Sequence, residues 1–167
     1  KNLMKKNLLD LGLAGWMADF GEYTPTNART EFSGRWWGRD HGQILHQRIA
    51  QDWASLNREL VEENDMTDEI MFWMRAGGIR SKEYMSMSWA GDQAVNWDRS
   101  DGLPTSIVAA LSLAVQGMGL SHSDIGGYTG TPLLHVIRTK ELLLRWAEYS
   151  AFTPGITRHL HFPNFIK

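Results

Sequence analysis

Four stretches of this chain run apolar and then stop on a charge. GWMAD closes on Asp19, IMFWMR on Arg75, MSWAGD on Asp92 and MGLSHSD on Asp124. A carboxylate at the end of a buried run is costly to desolvate unless it is paired or used. A strand turning into a loop would account for any one of them alone. Gathered on one rim near an arginine and several tryptophans, such acids suit the hydrolysis of a glycosidic bond. In that reaction one carboxylate attacks the anomeric carbon while a protonated partner donates to the leaving oxygen. The attacking group must stay ionised, which cationic or hydrogen-bonding neighbours favour. The donor must hold its proton, which apolar neighbours favour. Trp89, shortly before Asp92, offers an apolar wall of that kind. Composition does not choose among Asp19, Asp92 and Asp124 for these parts. Asp98 and Asp101, in NWDRSDG, read as an exposed turn before a helix.

The elements that must carry these residues follow from the hydrophobic pattern. Residues 3–10 have helical spacing, and Gly12 to Met17 reads as a short buried strand. Residues 24–40, TPTNARTEFSGRWWGRD, read as a loop. Ile44, Leu45, Ile49, Trp53, Leu56 and Leu60 then fall on one face of a helix that ends near Glu62 to Asp65. Ile70 to Met74 is an apolar run of strand length, and MSMSWAG is another. Leu103-Pro104 opens a helix through Val115, with Gly117 and Gly119 past its end. The short strand MGLSHS follows, and a last helix, Arg138 to Phe152, ends before Pro154. Apolar strands alternating with amphipathic helices predict an α/β fold with a parallel, helix-covered sheet. In such a sheet the strand carboxyl ends share one side, and in barrels that side carries the active site. The four charges would converge there.

Bulk properties exclude several function classes. The chain has 167 residues, 43% apolar and 22% charged, which suits one soluble globular domain. A net charge of −2 gives no basic surface for nucleic acid or anionic membrane. No run approaches the roughly 18 apolar residues of a spanning helix, and no signal peptide opens the sequence. Without cysteine there is no disulfide, thiolate nucleophile or Cys-based metal site, which fits a reducing, cytoplasmic setting. The six histidines show no metal-ligand spacing, His41 and His46 or His159 and His161 included. The eight tryptophans read first as core packing. The chain enters a helix already under way and ends abruptly, so it reads as a piece of a larger protein.

Five ordered blocks sharpen the picture: GWMADFGEY, FWMRAG, MSWAGDQAVNW, LSHSDIGGY and RWAEYSAFTP. In that order they resemble the motifs of glycoside hydrolase family 31, and within it those of the sulfoquinovosidases. The resemblance covers nearly the whole chain and is weakest over residues 26–66. It implies part of a (β/α)8 TIM barrel, central to C-terminal, forming one partial catalytic domain over 1–167. The N-terminal strands and any flanking β domains would lie outside it. It also implies retention through a covalent glycosyl-enzyme, with Asp19 as nucleophile and Asp92 as general acid/base. Arg75, Trp89, Asp124, Tyr128 and His159 match substrate-binding positions. Thr157 stands where the family's P-x-x-R-x-H has Arg, and Arg158 lies one position late. DIGGY replaces the DIGGF of general α-glucosidases, and in sulfoquinovosidases the matching Tyr helps hold a sulfonate. The implied substrate is a small α-glycoside, first an α-sulfoquinovoside, with no metal or organic cofactor. A neutral-sugar α-glucosidase or α-xylosidase and an inactive carbohydrate-binding homologue are the alternatives.

Other residues read more quietly. His122, Ser123 and Asp124 spell a triad, but consecutive strand residues point to opposite faces, which sets them poorly for one. Trp36, Trp37, Arg35 and Arg39 read as a packing loop, and Met71, Met74, Met85 and Met87 as core filler.

Overall fold

Close approach of two backbones sets the first part of the fold. A Cβ added to Gly15 would stand 2.2 Å from the carbonyl oxygen of Met71, so glycine is what lets the strands meet. The computed structural model describes residues 1–23, 31–32, 35–36, 39–78, 80–130 and 137–154. Its residues fall into two compact units, 1–86 and 87–167.

In the first unit, α1 (Asn2–Asn7) and a 3₁₀ turn at Leu9–Leu11 lead into β1 (Gly15–Met17). Two short strands, β2 (Glu31–Phe32) and β3 (Arg35–Trp36), pair antiparallel within the region expected to be a loop. Helix α2 (Arg39–Glu62) then crosses to β4 (Met71–Met74). β1 and β4 are parallel, with Gly15 opposite Met71, Trp16 opposite Phe72 and Met17 opposite Trp73. The strand–helix–strand crossover is the unit from which parallel α/β sheets are built.

The deepest face of α2 differs from the expected stripe. Ala50, Ala54, Asn57 and Val61 are buried, together with Leu60, while Ile49, Trp53 and Leu56 are half-buried flanks. Ala50 and Ala54 have side chains too short to mark a hydrophobic stripe, yet they take positions on the deepest face. The side chains of Ile44 and Leu45 lie outside the described residues. Trp16 stacks on Phe72 with ring centroids 6.1 Å apart and donates its indole N–H to Asn57 Oδ1 at 2.8 Å. Asn57 in turn donates to the Trp53 carbonyl, so both ends of its amide are used. Met74, Met85 and Met87 are buried as expected, but Met71 is exposed. Alternation along β4 puts Met71 on the face opposite Phe72 and Met74.

The second unit repeats the pattern. β5 (Met87–Trp89), α3 (Leu103–Val115) and β6 (Ser121–His122) form a parallel crossover, with Ser88 opposite Ser121 and Trp89 opposite His122. α3 begins at the predicted residue with Pro104 in its first turn, and its chain turns out through Gln116 and Gly117. Val108, Leu111 and Val115 face outward on it, while Leu103 and Ser106 are buried. Helix α4 runs Lys140–Ser150, two residues later than expected, because the Thr139 side chain accepts from the Leu142 N–H and caps it. Val95, Leu103, Leu142 and Trp146 form the core of this unit, with Ile125 and Tyr149 against them. No described helix is long and apolar enough to cross a membrane.

Replacing Asn57 with Leu keeps a branched side chain, though a larger one, and leaves the Trp16 N–H unpaired in the core. The change should cost about 1–3 kcal/mol, read as a lower urea midpoint at unchanged slope.

Candidate active site

Strand register decides which charges meet. Ala18 continues the ladder by donating to the Trp73 carbonyl at 2.9 Å, and one residue further the pairing sets Asp19 beside Arg75. Arg75 Nε lies 3.2 Å from Asp19 Oδ1. Immediately after Asp19 the chain takes two left-handed residues, Phe20 at φ 62° and Gly21 at φ 108°. For Phe20 that conformation costs about 1–2 kcal/mol, and strain of this kind clusters at functional sites. It accompanies a hydrogen bond from the Phe20 N–H to Asp19 Oδ1 at 2.7 Å. Trp53 Nε1 donates to the carbonyls of Ala18 and Asp19, both at 3.2 Å, and so fixes the strand end from the helix side.

The same turn brings Glu22 back onto Arg75. Glu22 Oε1 receives both Nε and Nη2 of the guanidinium at 2.7 Å. Arg75 Cζ lies 4.7 Å from the Phe20 ring centre and 5.6 Å from that of Tyr23, within the range of cation–π attraction. The arginine side chain is only 12% exposed, so its charge needs these partners. Asp19 is thereby an oriented carboxylate, one oxygen accepting the Phe20 N–H and ion-paired with Arg75, suited to act as a nucleophile or base.

Glu22 is the residue that sequence reasoning missed. The signal was present in GWMADFGEY, where a second acid follows Asp19 after a Gly that permits a tight reversal. Its Oε2 is buried and has no hydrogen-bond partner among the described residues.

In the second unit, Trp89 is buried and donates its indole N–H to Asp124 Oδ1 at 3.1 Å. Asp124 is fully buried. The neighbouring Ser123 hydroxyl accepts from Trp146 Nε1 at 2.8 Å, so the adjacent polar residues serve different partners. Asp92 is half-buried, and its carbonyl accepts from the Thr129 hydroxyl at 2.9 Å. Tyr128, also half-buried, donates its backbone N–H to the Gln93 carbonyl at 2.9 Å. Asp98 and Asp101 sit in an exposed turn, as expected. There the Ser100 hydroxyl, and then its N–H, hold the Asp98 carboxyl below the ordinary carboxylate range.

The structure therefore joins Asp19 to Arg75 in one unit and Trp89 to Asp124 in the other. It ties the segment bearing Tyr128 to the one bearing Asp92. His159, with Thr157 and Arg158, lies outside the described residues, as do Trp37, His161 and the side chains of Arg35, Trp36, Arg39 and His41. Among the described residues no three His, Cys, Asp or Glu side chains gather as metal ligands.

Comparison with known proteins adds an independent line. The family model "Glycosyl hydrolases family 31 TIM-barrel domain" matches residues 1–165. The chain is 48% identical over 95% of its length to a sulfoquinovosidase of Escherichia coli (strain K12), and spans 22% of that protein. It is 42% identical, again over 95%, to a sulfoquinovosidase of Agrobacterium fabrum (strain C58 / ATCC 33970), spanning 23% of it. A solved GH31 family sulfoquinovosidase from E. rectale, in complex with the aza-sugar inhibitor IFGSQ, superposes with a TM-score of 0.85 at 44% identity. That match covers 95% of this chain and 23% of the other.

Trp89→Phe keeps one aromatic ring, gives up part of the indole's packing and removes the donor to Asp124. A buried carboxylate that loses a hydrogen bond should cost about 1.5–3 kcal/mol of stability, measured by urea denaturation followed by circular dichroism.

Proposed function

Because this chain belongs to glycoside hydrolase family 31 and folds as part of its TIM barrel, we propose that it carries the catalytic centre of a retaining α-glycosidase acting on α-sulfoquinovosides. The observation that carries the chemistry is the Asp19–Arg75–Glu22 cluster at the carboxyl ends of β1 and β4.

In the first step Asp19 attacks the anomeric carbon through Oδ2, its Oδ1 being held by Phe20 N–H and Arg75. The bond from C1 to the leaving oxygen breaks, and Asp92 gives that oxygen its proton. The product of this step is a glycosyl ester on Asp19 and a free alcohol. In the second step the Asp92 carboxylate takes a proton from water, and the hydroxide so formed attacks C1. The ester bond to Asp19 breaks, Asp19 leaves as a carboxylate, and two inversions give net retention. Arg75 keeps the nucleophile aimed while Glu22 and the two rings hold the arginine.

The substrate reading rests on Tyr128 and on the names of the two curated relatives. A sulfonate spreads one negative charge over three oxygens, so fixed neutral donors such as a phenol suit it well. Arg75, Trp89 and Asp124 are assigned to the sugar subsite by their motif positions. His159 is assigned there on its motif alone.

In the full-length enzyme, a mechanism-based inhibitor that traps the glycosyl-enzyme is expected to label Asp19, found by peptide mass spectrometry. Asp19→Asn should abolish turnover. Asp92→Asn should lose roughly 10²- to 10⁴-fold on glycosides with poor leaving groups and far less on a dinitrophenyl glycoside, whose departure needs no proton. A label on another residue, or equal losses across leaving groups, would refute the assignment. Tyr128→Phe should raise KM for a sulfoquinovoside and leave the matching glucoside unchanged, by steady-state kinetics on both.

A further inference from the structure

Arg138 stands just before α4 and belongs to none of the five blocks that suggested the chemistry. Its Nε donates to the Gly126 carbonyl at 3.0 Å and its Nη2 to the Gly127 carbonyl at 2.5 Å. Both glycines are left-handed, at φ 85° and 77°, so one guanidinium reaches two successive carbonyls. A Cβ on Gly126 would lie 2.6 Å from Arg138 Cδ, so the arginine stem occupies the space that any larger residue there would need.

The gripped loop runs directly into the residues of interest. Tyr128 follows Gly127, and the N–H groups of Tyr128 and Thr129 both donate to the Gln93 carbonyl, at 2.9 and 3.0 Å. Thr129 then accepts from the Val95 N–H at 3.0 Å and gives its hydroxyl to the Asp92 carbonyl at 2.9 Å. The Arg138 fork thus holds the loop just before Tyr128, and the Gln93 carbonyl holds it at Tyr128 and Thr129.

We propose that Arg138 is a specificity-positioning residue: by clamping the Gly126 and Gly127 carbonyls it sets Tyr128 for the anionic group of the sugar. It acts through the loop and touches no substrate. The proposal rests on the reading of Tyr128 as an anion contact given above. A planar fork can serve two carbonyls at once, whereas a lysine ammonium is a single point of charge, so Lys is not an equivalent here.

The test compares para-nitrophenyl α-sulfoquinovoside with para-nitrophenyl α-glucoside in the full-length enzyme. Arg138→Ala is expected to lower kcat/KM for the first relative to the second by roughly 10- to 100-fold, mostly through KM. Millimolar guanidinium should restore the ratio, and Arg138→Lys should remain impaired. An unchanged ratio overturns the proposal. An equal loss on both substrates is one such outcome, since it marks a general structural role. A wild type inert toward the sulfoquinovoside would instead sink the parent reading. In that event hydrogen exchange over residues 124–129 still judges the clamp: it rises in Arg138→Ala if the clamp holds the loop and stays level if it does not.

Discussion

One guanidinium shared by two carboxylates organises the first unit. Arg75 is nearly buried, and a buried cation is tolerable only with close, well-aligned partners. Asp19 and Glu22 supply them, and Phe20 and Tyr23 add their ring faces. One positive and two negative charges leave the cluster a net negative charge, with Asp19 as the acid at the strand end. The surroundings serve this arrangement. Gly15 lets β1 approach β4, the register sets Asp19 beside Arg75, and Trp53 pins the carbonyls at the strand end. The strained φ of Phe20 belongs to the same device, because the turn that holds it returns Glu22 to the arginine.

The tryptophans have a related task. Trp16, Trp53, Trp89 and Trp146 each spend the indole N–H on a specific acceptor: Asn57, the Ala18 and Asp19 carbonyls, Asp124 and Ser123. Each fills volume and satisfies a polar atom at once, which is how a core admits residues such as Asp124 and Asn57. Core packing was the first reading of the tryptophan count. The hydrogen bonds add that this packing reaches the candidate site, since Trp53 and Trp89 touch residues at the strand ends.

Catalysis of the proposed kind asks for groups held before the substrate arrives. Hydrogen bonds and packing already made in the fold need not be formed during the reaction. In each unit the strand ends carry such bonds, from an indole, a backbone N–H or a guanidinium. The second unit, like the strand end that Trp53 holds, uses backbone carbonyls as anchor points, at Gln93, Asp92, Gly126 and Gly127. Carbonyls carry no side-chain identity, so this part of the framework leaves little trace in residue types.

The alternation of apolar strands and amphipathic helices, the limits of α3 and the charged ends of the strands were legible in the sequence, because periodicity and punctuation are local properties. The five motif blocks likewise pointed to the family. Local pattern did not reveal that the small Ala50 and Ala54 share the deepest face of α2, that Met71 faces outward, or that Thr139 delays α4. Those depend on which face meets a neighbour and which side chain reaches a free N–H. Nor did it reveal the roles of Glu22 and Arg138. Both act through partners far away in sequence or through main-chain atoms, and only the folded register of strands and loops brings such groups within hydrogen-bonding distance.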